Sequence, residues 1–311
     1  MRISRARNRR AGSSVDPAAL RLVLGVGRSG TTWIANVLAH TDTPCRFFSE
    51  PLFHLKPSLE FQETGDHTAI DFKTRLPARH PLLSAYVALT ARPFERDMLA
   101  VPTVLEQDDL DWTFCLVKEV HSLLAAPGIL RAWKTPTVFV LRDPIYVIDS
   151  LFAAQTPDTI YLDHEVRAVQ QDGFLNDVMP RRSSSVKLLF EAARGEAERK
   201  RKIIQKLLCV HLVQTMFQVV ANDYPFTAVL WYEDCCDAPA DNLRSAAATL
   251  SIPWTRGNDE FLAATTAGNS TPADPYSIFR DPAAQRSRPF AFLRADEVDQ
   301  CKAWLGRLRA G

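Results

Sequence analysis

The segment Arg21 to Val26, RLVLGV, is an apolar run of strand length that ends among glycines. From Thr31 to His40 the apolar residues Trp33, Ile34, Val37 and Leu38 recur at helical spacing. The pattern predicts a strand, a loop and a helix. Further strand-length apolar runs stand at Thr113 to Val117, Thr137 to Leu141 and Phe226 to Trp231, each followed by a helically patterned stretch. Such alternation predicts an α/β fold with a central parallel sheet flanked by helices. Two insertions interrupt it, about residues 56–111 and 155–222. The second ends in one long helix expected from about Val186 to Asn222, with an apolar stripe through Ile203, Leu207, Leu208, Val210, Met216, Phe217 and Val220 and a solvated charged stretch, EAERKRK. Beyond Ile252 the chain is richer in Pro, Gly, Asn and Thr and is expected to wrap the surface before a last helix from about Asp296 to Leu308.

Composition narrows the class without changing it. With 311 residues, 46% of them hydrophobic, and a formal charge of +1, the chain fits a globular domain with a sizeable core. The expected organisation is a basic flexible tail over 1–19, carrying MRISRARNRR, followed by a single domain over 20–311. No apolar run reads as the 18 to 20 or so residues that span a bilayer, and the basic start is not followed by the apolar segment of a signal peptide. The cytoplasm is the default compartment. Neither a nucleic-acid partner nor stable membrane insertion is expected, and oligomeric state is open. Six scattered cysteines without a C-x-x-C spacing indicate neither a disulfide framework nor a metal site.

The chemistry begins in GVGRSGTTW. Gly25, Gly27 and Gly30 let backbone amides approach an anion, and the helix opening at Thr31 aims its free N–H groups at the same place. Thr31 stands where the nucleoside triphosphatase pattern has lysine, so Arg28 supplies the cation while Ser29, Thr31 and Thr32 add hydroxyls. A second element follows the strand TVFVL. Asp143 and Pro144 read as N-cap and first residue of a helix, and Arg142 and Ser150, eight residues apart, both face the crevice at the carboxyl ends of the strands. The pair suits a second, separate phosphate.

Taken together, GRSGTTW and LRDPIYVIDS resemble the two phosphate motifs of the sulfotransferases that use 3′-phosphoadenosine 5′-phosphosulfate (PAPS; product PAP), in the arginine form of the carbohydrate and bacterial branches. VLWYEDCCDAPADNLRSAAATLSIPW, from Val229 to Trp254, is similar to a third strand and helix of that family. The resemblance implies a P-loop-type fold and sulfuryl transfer to a hydroxyl or amine of a small-molecule or glycan acceptor. It implies that Arg28, Ser29, Gly30, Thr31 and Thr32 bind the 5′-phosphosulfate, that Arg142 and Ser150 hold the 3′-phosphate, and that Trp33 lies beside the adenine. The family's glycine-rich cofactor lid has no match in the tail.

Sulfuryl transfer requires a base for the acceptor proton and cations for the departing phosphate. Lys118, at the end of the strand TFCLV, joins Arg28 as the cation. In the stretch RFFSEPLFHL, Glu50 precedes Pro51, which biases it toward an extended strand end at the loop's edge of the sheet. Its apolar neighbours are expected to raise its pKa toward that of a base. The stretch resembles the Phe-Glu-Pro-Leu segment whose glutamate serves as base in carbohydrate sulfotransferases. His54, His121 and Glu119 are the rival bases, with His121 displaced by one position from the family's histidine. Phe47, Phe48, Phe53, Phe61, Phe72 and Tyr86 are candidates to line an acceptor site. No metal ligand is expected. Two other readings use the same loop: a P-loop nucleotide kinase or triphosphatase, and a non-catalytic nucleotide-binding protein.

Overall fold

The computed structural model describes residues 16–51, 83, 86, 88–91, 105–108, 111–121, 123–154, 162–267, 281–286 and 288–310. The basic stretch over 1–15 lies outside them, as do Phe53, His54, Phe61 and Phe72. The fold reaches back to Asp16, whose side chain caps a short 3₁₀ turn over Pro17–Ala19.

A sheet is formed by β1 (Leu20–Gly25), β2 (Cys45–Ser49), β3 (Leu105–Asp108), β4 (Phe114–Glu119), β5 (Thr137–Leu141) and β6 (Thr227–Trp231), in the spatial order β3-β2-β4-β1-β5-β6. Every pairing is parallel except β3 against β2. The fold is α/β, as the hydrophobic pattern predicts. β1 has β4 on one side and β5 on the other, so the chain leaves β1 in one direction and later returns to its opposite side. This reversal opens a crevice at the carboxyl end of β1, the usual ligand position in such sheets.

The strands read as near-continuous apolar runs because both faces are covered. Leu22, Leu24, Phe139 and Leu141 point into one core, and Val23, Val138 and Val140 into the other. The first core is covered by α2 (Ala126–Trp133), α3 (Pro144–Ala154), α6 (Ser183–Arg194), α7 (Glu198–Asp223) and α12 (Ala295–Ala310). The second is covered by α1 (Thr31–Ala39), α9 (Pro239–Thr249) and α10 (Arg256–Thr266). Short helices α4 (Asp163–Ala168), α5 (Asp172–Val178), α8 (Tyr232–Asp237) and α11 (Pro282–Arg286) fill the connections.

Four expectations change. The long helix is two, α6 and α7, broken where Gly195 ends the first. The first insertion contributes β3, an edge strand. The segment after Ile252 does more than wrap the surface, because Asn258 of α10 is fully buried and donates its amide to the Val37 carbonyl at 2.8 Å. Finally, α7 does contain an 18-residue window of mean hydropathy 1.5, long and apolar enough to cross a bilayer, but 72% of that window is buried within the fold. Phe217 of α7 stacks on Phe139 of β5 with ring centroids 4.5 Å apart, the packing of a core helix.

Candidate active site

The glycine-rich loop after β1 is held by close backbone approach. A Cβ on Gly25, the last residue of β1, would lie 2.6 Å from the Thr31 methyl and 2.8 Å from the Val140 carbonyl. Arg28 and Gly30 both take positive φ, 73° and 91°, a region only glycine enters without strain. Gly30 is the N-cap of α1 and has no side chain to cap it. The first-turn N–H groups of α1 therefore stay available to an anion. Ser29 is fully buried, and its hydroxyl has no partner. Thr31 is buried beside it, and Thr32 follows in the first turn. Trp33, expected beside the adenine, sits in the core: it is 8% exposed, donates its indole N–H to Thr265 Oγ1 at 3.1 Å and meets Tyr232 edge-on at 6.2 Å.

The segment after β5, expected to hold a second phosphate, reaches the loop directly. Arg28 Nε donates to Ser150 Oγ at 3.1 Å, and Arg142 Nη1 donates to the Arg28 carbonyl at 2.9 Å. Arg142 is buried, its guanidinium lies 4.6 Å from the centre of the Tyr232 ring, and its Nε has no partner. Asp143 caps α3 by accepting the N–H of Ile145 at 2.8 Å, as its place before Pro144 predicts. Unpartnered donors on Ser29 and Arg142, set around a helix start, fit a ligand with two separated anionic groups.

On the other side of β1 stands an ionic cluster. Lys118 and Ser49 are register partners on β4 and β2, and Glu50 follows at once, its N–H donating to the Lys118 carbonyl at 2.7 Å. Lys118, 2% exposed, donates its ammonium to Glu50 Oε1, while His121 Nε2 lies 3.3 Å from Glu50 Oε2. Two expectations about Glu50 are corrected. Its φ is +56°, left-handed and not extended, so the chain turns away immediately after its amide bonds the Lys118 carbonyl. Its pKa is not raised. Burial, the largest single cause, does push it up, but the hydrogen bonds and charges of His121 and Lys118 together bring it down to about 2. The His121 pKa is raised: burial, its largest cause, works against this, but Glu50 and Glu119 outweigh it. Glu119 is fully buried and accepts the N–H groups of Val120 and His121 at 2.8 and 2.9 Å.

Some features escape the sequence reading. Tyr232, first residue of α8, contacts Trp33 and Arg142, and a Cβ on Gly30 would fall 2.2 Å from its ring. The only signal for it is the tyrosine following the strand VLW. Asp149, beside Ser150, is fully buried. It accepts the N–H groups of Ala291, Phe292 and Leu293 at 3.0, 2.8 and 2.9 Å and pairs with Arg288 at 3.2 Å, which ties the C-terminal segment to α3. Nothing local in the sequence marks this contact. Phe47, Phe48 and Tyr86, expected to line an acceptor site, are core residues at most 2% exposed.

No protein-family model matches the chain, and no curated protein matches it in sequence. Eleven chains of solved structures are similar to it, among them these three. The sulfotransferase domain of the Synechococcus PCC 7002 olefin synthase is 13% identical with a TM-score of 0.43, over 94% of this chain and 96% of that one. Mouse sulfotransferase SULT7A1 complexed with PAP is 10% identical with a TM-score of 0.42, over 95% and 85%. The sulfotransferase domain from the curacin biosynthetic pathway is 15% identical with a TM-score of 0.44, over 94% and 99%. At such identities and scores none of these likenesses bears on activity.

Proposed function

We propose that this chain transfers a sulfuryl group from PAPS to a hydroxyl or amine of a small-molecule or glycan acceptor. The observation that carries the reading is the union of the two phosphate elements: Arg28, in the loop, donates to Ser150 on α3, and Arg142 donates to the Arg28 carbonyl. A nucleotide with phosphates at both its 3′ and 5′ ends needs such a divided site.

In this reading PAPS, when bound, supplies the sulfuryl group. Ser29, Gly30, Thr31 and Thr32 offer N–H and hydroxyl donors to its 5′ end, and Arg142 and Ser150 hold its 3′-phosphate. Tyr232 fixes the Arg142 plane from one face, and Trp33 supports the ring of Tyr232 from the core. Glu50 is the base that takes the acceptor proton at Oε1 or Oε2. In its resting ion pair it is a weak base, because a carboxylate near 2 holds a proton poorly. Lys118 is shared between Glu50 and the negative charge of the cosubstrate. As its ammonium turns to that charge, Glu50 loses one of the two partners that hold its pKa down and becomes more basic. Arg28, Lys118 and the start of α1 stabilise the charge that develops on the departing phosphate. His121 orients Glu50 through Oε2.

The test is incubation of purified protein with PAPS and a broad panel of hydroxyl and amine acceptors, read by mass spectrometry. A PAPS-dependent gain of one sulfuryl group supports the reading. PAP binding with no product across the panel would favour the non-catalytic alternative.

A further inference from the structure

A cavity of about 640 Å³ is bordered by α7, the start of α3 and the end of β6. It is lined along α7 by His211, Gln214, Thr215 and Gln218. These positions recur at helical spacing and form a polar stripe on a helix otherwise buried among apolar side chains. From the other elements come Asp143, Trp231, Glu233, Asp234 and Arg309. Trp231 is 36% exposed, one of two large hydrophobic residues so open to solvent among the described residues.

The lining holds more acceptors than the fold uses. Gln214, 3% exposed, donates its amide to the Arg142 carbonyl at 2.7 Å. Glu233 accepts the Asp143 N–H through Oε1, and its Oε2 has no partner. Asp143 accepts the Ile145 N–H through Oδ1. An unpaired buried acceptor costs free energy that a ligand's donor would recover. The charge balance has one sign: three carboxylates stand against Arg309. Burial, aided by Arg309, pushes His211 down to about 4, so its imidazole is neutral at neutral pH. Among the described residues no group of three His, Cys, Asp or Glu side chains could hold a metal ion.

We propose that this cavity binds a small organic cation of the amine class, its ammonium groups against Asp143, Glu233 and Asp234 and its carbon chain along the Trp231 ring. An indole beside carboxylates attracts such ligands by cation–π contact as well as by charge. The cavity's lining includes neither the loop residues nor Arg142, Ser150, Glu50 or Lys118, and the proposal does not depend on sulfuryl transfer.

Isothermal titration of the full chain with spermidine as probe, in physiological salt, tests it. One saturable site is expected, weakened about tenfold or more in Trp231→Ala and in Asp234→Asn, the loss of a cation–π contact or a charge-assisted bond. Both positions are at or near the surface, and an unchanged melting temperature shows that each variant is folded. The absence of a saturable heat, equal affinity in the wild type and both variants, or saturable binding of sorbitol or inorganic phosphate instead would overturn the proposal.

Discussion

Lys118 donates its ammonium to the carboxylate of Glu50, residues that are neighbours across two parallel strands although 68 positions apart in the chain. The pair gives the proposed base a resting partner. Glu50→Gln keeps the shape and removes the charge. It is expected to cut turnover by about 10²- to 10⁴-fold while leaving PAP affinity nearly unchanged. Steady-state kinetics with a PAP titration checks this. Near-normal turnover alongside collapse in His121→Ala would move the base to His121.

Arg142→Ala is expected to weaken PAP binding by about 1.5 to 3 kcal/mol, the range of a charge-assisted hydrogen bond. Adenosine 5′-phosphosulfate, which has no 3′-phosphate, should lose far less. Calorimetry on both ligands separates the cases, and equal losses would make Arg142 a purely structural residue.

Gly30→Ala places a methyl group 2.2 Å from the Tyr232 ring at a φ of 91°. Backbone strain of about 1 to 3 kcal/mol adds to the clash. A lower melting temperature and weaker PAP binding are expected together. Gly30→Ala combined with Tyr232→Ala, which removes the clash but not the strain, should recover part of the stability. No recovery would show that the ring is not the obstacle.

Acid stability should depend on Glu297, whose carboxylate is 1% exposed and takes Arg199 Nε at 2.7 Å and Nη2 at 3.1 Å. The hydrogen bond from Arg199 is the main cause that holds its pKa at about 2, below the ordinary value of 4.5. The folded state then binds its proton more weakly than the unfolded state. The contribution is complete above about pH 4.5 and is lost as pH falls toward 2. Denaturation of Glu297→Gln across that window should show a shallower dependence on pH than the wild type. An unchanged slope would refute the linkage.

Activity is expected to persist after exhaustive chelation. Arg28, Lys118 and the start of α1 already supply positive charge where the phosphate would depart. Loss of activity on chelation and recovery with magnesium would favour the nucleotide kinase reading.

Local pattern carried much of this fold and site. The run into Gly25, the helix through Trp33, and the Asp143-Pro144 cap each depend on neighbours in sequence, and each stands where the pattern puts it. Glu50 and Lys118 were legible as strand-end residues, but the sign of the Glu50 shift was not, since it follows from a partner on another strand. Strand β3 was hidden because LEQD is a short polar edge strand without an apolar alternation. Tyr232 was missed for a related reason: its value lies in touching Gly30 and Arg142, contacts that the fold creates and no local spacing encodes.

The tether at Asp149 ties the order of synthesis to the packing of α3, the helix that carries Ser150. A nascent chain that ends before Arg288 already contains the loop, Arg142 and Ser150, but the carboxylate beside Ser150 has none of the four donors that satisfy it in the finished fold. Residues 288–293 come late in the chain, so α3 gains these four partners only when nearly all of the described fold has been made, and clipping the chain just before Arg288 removes all four at once.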